Sequence, residues 1–178
     1  MFVIMAGLPG TGKSTLSRAL AERCGGAVLD KDAIRAALFA PAQIEYSREQ
    51  DDFCQQLMLE TGEYLLSRDP LLWIFLDGRP FSRRYQRRQA EAAAARLHTP
   101  LAIVECVCDQ ATALARLQAD SEAGAHVAAN RSPALYARVA SEFEPLSEPR
   151  LTLNTGQSLA ECVRQAQAYL QLISLSRE

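Results

Sequence analysis

Residues 2–15 read FVIMAGLPGTGKST: five apolar residues, a glycine-rich turn, then a lysine followed by hydroxyl side chains. An unbroken apolar run stopped by glycine predicts a β-strand covered on both faces, over 2–6. Gly7 to Ser14 fits G-x-x-x-x-G-K-[ST] at each defined position, and helical spacing follows it to about Cys24, where Gly25 and Gly26 end the helix. In that strand-to-helix context the glycines let backbone amides point inward unobstructed, and the helix amino end adds partial positive charge, so the turn is suited to a phosphate chain. Lys13 is then expected at the β- and γ-phosphates and the Ser14 hydroxyl at a bridging Mg2+. Gly10, Thr11, Gly12 and Thr15 complete the loop around the nucleotide.

Working outward, four more short apolar runs predict strands at 27–30, 71–76 (LLWIFL), 101–107 and 151–153. Helical spacing lies between them at 32–39, 48–67, 82–97 with Ser82 as cap, 109–117 with Asp109 as cap, 133–143 and 158–173. In the helix over 48–67, Phe53, Leu57, Met58 and Leu65 mark the expected buried face. Strands alternating with helices predict an α/β fold, a five-stranded parallel sheet with helices on both faces, as one domain over 1–178. The stretch 120–131 is poor in apolar residues, and a small helical lid is expected at about 118–133.

Composition sets the remaining limits. A chain of 178 residues, 48% apolar, is sized for one core, and a net charge of -2 argues against a general nucleic-acid binder. The five cysteines, an odd number scattered in apolar segments, fit reduced thiols. The first apolar run is too short for a membrane span and has no basic segment before it, so a cytoplasmic location with no membrane contact is expected, as a monomer or weak homodimer.

The acceptor side is read from strand ends, because neighbouring parallel strands open onto one crevice at their carboxyl ends. The second strand runs into Asp30-Lys31-Asp32, with Arg35 one turn along. Asp32 is expected to orient an acceptor hydroxyl and take its proton, Arg35 to grip the acceptor, and Asp30 to hold a Mg2+-bound water, although either aspartate could instead cap the helix. Asp77 ends the third strand and suits the acceptor or a metal-bound water, and Arg79 directly after it is placed in the crevice. Arg83, Arg84, Arg87 and Arg88 follow at helical spacing and read first as a solvated face, with steering of a phosphorylated or polyanionic acceptor as the alternative. Arg131 is expected to be the lid arginine over the moving phosphoryl group, with Arg138 in reserve, and Arg116 to meet the nucleotide. Without an N-K-x-D segment, and at this size, a kinase using ATP and Mg2+ on a small-molecule hydroxyl is the leading expectation.

The order of these pieces resembles the small bacterial P-loop kinases of the AAA type, related to the polynucleotide 5′-hydroxyl kinases and the zeta toxins, over nearly the full length. The resemblance rests on GLPGTGKST near the start, on D-x-x-R from Asp32 to Arg35, and on the strand ending in Asp77. It implies the P-loop NTPase fold with strand order 2-3-1-4-5, Asp32 as acceptor-activating aspartate, and Thr155 with Gly156 as a turn beside adenine. Many relatives carry a second arginine four residues after the one matched by Arg116; here that position is Asp120, which leaves the lid charge to Arg131. A nucleic acid or nucleotide sugar is the secondary acceptor class.

Overall fold

The computed structural model describes residues 1–122 and 132–175. Five strands, β1 (Phe2–Ala6), β2 (Ala27–Asp30), β3 (Ile74–Asp77), β4 (Leu101–Val107) and β5 (Leu151–Asn154), form one parallel sheet in the order β2-β3-β1-β4-β5. All five residues of β1 are buried, as a central strand covered on both faces requires. The alternation of its side chains divides the core. Val3 and Met5 join Leu16, Leu20, Val163 and Leu170, from α1 (Lys13–Cys24) and α7 (Leu159–Leu175). Phe2 and Ile4 pack on the other side with Met58, Leu59 and Ala90, from α3 (Arg48–Arg68) and α4 (Arg84–Arg96). The result is the three-layer architecture of the P-loop NTPase fold, in the expected strand order.

The remaining helices border the sheet's carboxyl end: α2 (Lys31–Leu38), α5 (Gln110–Glu122) and α6 (Pro133–Ser141), the last two packed around Ala113, Leu117 and Tyr136. Asp109 caps α5 as expected, its carboxylate accepting from the Thr112 amide at 2.8 Å. The helix runs beyond 117 to Glu122; residues 123–131, and with them Arg131 and most of the expected lid, lie outside the described residues.

Three local expectations are corrected. The third strand begins at Ile74 rather than Leu71, because Asp69 closes a turn, accepting from the Leu71 and Leu72 amides, and Leu71 is left 81% exposed. Ser82 does not cap α4. The Glu144 carboxylate instead accepts from the Arg84 amide at 2.5 Å, while the Ser82 carbonyl accepts from the Glu144 amide at 2.8 Å. In α3 Met58 is buried as expected and Leu65 packs partly against the core, but Cys54, Leu59 and Leu66 complete the buried face, and Phe53 is 53% exposed.

Candidate functional site

Among the clefts that open where the strands end, two share the glycine-rich loop and its lysine as a common wall. The loop is shaped by close approach to its neighbours. Gly10 has φ 79°, and a β-carbon there would lie 2.4 Å from the Ala113 carbonyl oxygen, so only glycine lets the loop rest against α5. The buried Lys13 side chain folds back along the loop, its Nζ donating to the Leu8 carbonyl at 2.8 Å, and the Thr11 hydroxyl donates to the same carbonyl at 2.8 Å.

The larger cleft, about 490 Å³, brings Gly10, Gly12, Lys13, Ser14 and Thr15 together with Arg116 and Thr155. Thr155 is the joint of this assembly. Its hydroxyl lies 2.9 Å from the Thr11 carbonyl and 3.2 Å from that of Val107, while Arg116 donates to the Thr155 hydroxyl at 3.2 Å and to its carbonyl at 2.9 Å. Loop, α5 and the β5–α7 turn are therefore one hydrogen-bonded unit. Thr11 is buried behind the cleft, and Gly156, outside its lining, donates its amide to Asn154 at 2.9 Å. Asp120, where the resemblance leads one to expect an arginine, lines the cleft.

The smaller cleft, about 260 Å³, shares Lys13 and Ser14 with the larger one and continues past Lys31, Asp51, Arg79 and Arg83 to Arg138 and Glu142 of the α6 region. Asp32 and Arg35 stand just behind this wall. The Asp32 Oδ1 pairs with the Lys31 ammonium at 3.0 Å and accepts from Arg35 at 2.7 Å; Oδ2 has no hydrogen bond among the described residues. Asp51 gathers the same two cations from α3, accepting from Lys31 at 2.7 Å and from Arg35. Arg79 is buried and committed, donating to Gln55 at 2.9 Å and to Asp52 at 2.5 Å. Its part in the cleft is to hold the wall.

The strand ends also pair two carboxylates, Asp30 opposite Asp77 in the β2–β3 register. Asp30 caps α2, its Oδ1 accepting from the Asp32 amide at 2.9 Å and the Ala33 amide at 3.4 Å. Burial, and then the charge of Asp77, push the Asp30 carboxyl above the usual carboxylate range, against the pull of those amides. Asp77 is fully buried. Its Oδ2 accepts from the Ser17 hydroxyl at 3.0 Å, while Oδ1 has no partner among the described residues. An orphaned buried carboxylate oxygen beside a second acid, below the Ser14 helix turn, fits a divalent cation or its bound water.

The AAA domain family profile matches residues 2–146. The chain belongs to that AAA domain family. No curated protein matches the sequence. Among solved structures, a candidate kinase of Chloroflexus aurantiacus is similar at TM-score 0.74 and 23% identity, covering 94% of this chain and 96% of its own. A gluconokinase of Sinorhizobium meliloti gives 0.70 and 20%, covering 98% and 93%. The Mycobacterium tuberculosis APS kinase, solved with AMPPNP and APS, gives 0.71 and 19%, covering 96% of each chain. At these identities the likeness is one of fold.

Asp51 of this AAA domain was missed by sequence reasoning, although it lines the smaller cleft and holds both Lys31 and Arg35. It sits in the acidic first turn of α3, which reads as an ordinary helix start. Arg83 was read as solvated face and instead lines the cleft, whereas Arg87 is buried, donating to the Phe81 and Pro145 carbonyls at 2.8 Å each. Arg84 and Arg88 are exposed, as a solvated face requires.

Proposed function

We propose that this AAA domain is an ATP- and Mg2+-dependent phosphotransferase acting on a hydroxyl of a small molecule. One observation carries the reading: Lys13 and Ser14 line both clefts, so the end of a phosphate chain held in the larger cleft meets whatever occupies the smaller one. Such a shared wall is what in-line transfer needs, since positioning and charge stabilisation supply most of the rate. The smaller cleft, about 260 Å³, is on the scale of a small-molecule site. The solved neighbours, a gluconokinase and an APS kinase among them, agree with this class of reaction.

In this reading the loop amides and Lys13 hold the phosphates, and Arg116, fixed by Thr155, adds charge on the nucleotide side. Lys31 and Arg35 fix the Asp32 carboxylate through Oδ1 and leave Oδ2 to orient the acceptor hydroxyl and take its proton as the new oxygen–phosphorus bond forms and the bond from the γ-phosphorus to the bridging oxygen breaks, releasing ADP. Ser14, Asp30 and Asp77 would hold Mg2+ or its waters; when bound, the ion neutralises phosphate charge. Arg131 belongs to the proposal as the lid cation.

The test is phosphorus NMR of the purified protein with Mg-ATP and a panel of hydroxylated small molecules. Asp32→Asn is expected to lower transfer about 10²–10⁴-fold with nucleotide affinity nearly unchanged. Equal loss of both overturns the role of Asp32, and a loss seen only in Asp51→Asn moves the base to α3. A polynucleotide 5′-hydroxyl kinase or zeta-toxin-like nucleotide-sugar kinase is the second reading, favoured by Arg83 on the cleft wall; transfer to a 5′-hydroxyl oligonucleotide or a nucleotide sugar in the same panel would select it.

A further inference from the structure

We infer that the molecule whose hydroxyl enters the smaller cleft also carries a carboxylate or phosphate group, gripped by Arg48 and Arg138, with Arg83 as a third cation released from Glu142 on binding. This rests on the proposal that the cleft is the acceptor site.

The cations of the cleft differ in what already holds them. Lys31 is satisfied by Asp32 and Asp51, and Arg79 by Asp52 and Gln55. Arg48 on the first turn of α3 and Arg138 on α6 both line the cleft and are exposed, and neither guanidinium side chain has a hydrogen bond or ion pair among the described residues. Arg83 lies between these states. It donates to Glu142 at 2.6 Å, and this pair is only partly shielded, with side chains 27% and 41% exposed.

Glu142 shows that the three guanidinium groups share one neighbourhood. The Arg83 hydrogen bond first, then the charges of Arg83, Arg48 and Arg138, hold its carboxyl below the usual range. Three cations from three separate elements thus surround one acid at the mouth of a cleft in a protein of net charge -2. A neutral polyol leaves that excess unpaired. An anionic group satisfies it with forked, charge-assisted hydrogen bonds of the kind guanidinium makes to carboxylate and phosphate. A half-exposed ion pair is weak enough for a ligand anion to displace.

Calorimetry on the full chain saturated with Mg-ADP, titrated with glycerol, glycerate and glycerol 3-phosphate, isolates the charge from the polyol. One of the two anions is expected to bind about tenfold or more tightly than glycerol, the better of them telling carboxylate from phosphate. Arg48→Gln combined with Arg138→Gln should remove about tenfold of that affinity and leave Mg-ADP binding unchanged, and Glu142→Gln, which frees Arg83, should tighten the anion several-fold. Equal affinity for glycerol, or an anion affinity indifferent to the double substitution, overturns the inference. Anion binding with no transfer to any hydroxyl supports this site and removes the kinase proposal; transfer to neutral polyols with no anion preference does the reverse.

Discussion

Asp30 serves its helix and opposes its own charge. Its carboxylate closes the α2 amino end, yet burial and the facing Asp77 raise its pKa, so ionisation costs free energy in the folded protein. The sign follows from linkage. A carboxyl raised on folding contributes stability that is fully present below the unfolded value of about 3.9 and is lost as pH climbs through the folded value. In metal-free buffer at pH 7, Asp30→Asn keeps a cap oxygen and sheds the repulsion, so it should melt at or above the wild-type temperature, the gain disappearing towards pH 4. Asp30→Ala sheds the same repulsion but removes the cap as well, so it should lie about 1 kcal/mol below Asp30→Asn at either pH. A melt in which Asn is as damaging as Ala would show that the charge stabilises the apo fold. At this scale the sequence was legible wherever chemistry follows from local spacing: Lys13 to Ser14 in the loop, and Asp32 to Arg35 across one helical turn. It was silent on Asp51, whose partners lie 16 and 20 residues away and meet it only after α2 and α3 pack.

Among the elements, α3 shows what periodicity leaves open. Two stripes of this helix are spaced for burial, and side-chain size favours the one holding Phe53 and Leu57. The stripe that faces the sheet is Cys54, Met58, Gly62 and Leu66, with Gln50 and Gln55 beside it. Both glutamines are buried because they bind neighbouring elements: Gln55 accepts from Arg79 and donates to the Gln86 carbonyl at 3.0 Å, and the Gln50 amide side chain donates to the Gln43 carbonyl at 2.9 Å. Polar residues that organise a site look solvent-facing in sequence, which is why the apolar count found Met58 and the flanking Leu65 but not Gln50 and Gln55. Gly62 makes the chosen face testable. In an exposed helix, Gly→Ala gains about 1 kcal/mol, but a β-carbon here would lie 2.4 Å from the Phe2 ring, whose side chain is fully buried under β1. Overpacking should win, so Gly62→Ala is expected to lose about 1–3 kcal/mol in urea unfolding. A gain would mean that α3 rides higher on the sheet.

Across the whole molecule, alternating strands and helices in the sequence were enough to predict a parallel sheet, but not the order of its strands, since right-handed crossovers permit several windings. The order β2-β3-β1-β4-β5 places the carboxyl ends of β2 and β3 on one side of the loop and those of β4 and β5 on the other. That division separates the two clefts. It also means that the larger cleft is closed by residues far apart in the chain: the Thr155 hydroxyl, 2.9 Å from the Thr11 carbonyl, ties the final strand's turn to the first loop across 144 positions. A ligand bound there should therefore stabilise the fold globally, since opening its cleft means undocking β5 and α7 from the sheet. With an ATP analogue and Mg2+ at about a hundredfold excess over the dissociation constant, mass action contributes ~2.7 kcal/mol. For a domain of this length that is a rise of about 5–11 °C in melting temperature. Lys13→Met should abolish most of the rise while leaving the ligand-free melt close to wild type, because a methionine can follow the same buried path without the terminal charge. A melting temperature that does not respond to the Mg-analogue complex in the wild-type protein would remove the larger cleft as a nucleotide site, and an equal rise in the Lys13→Met variant would put the bound phosphates elsewhere.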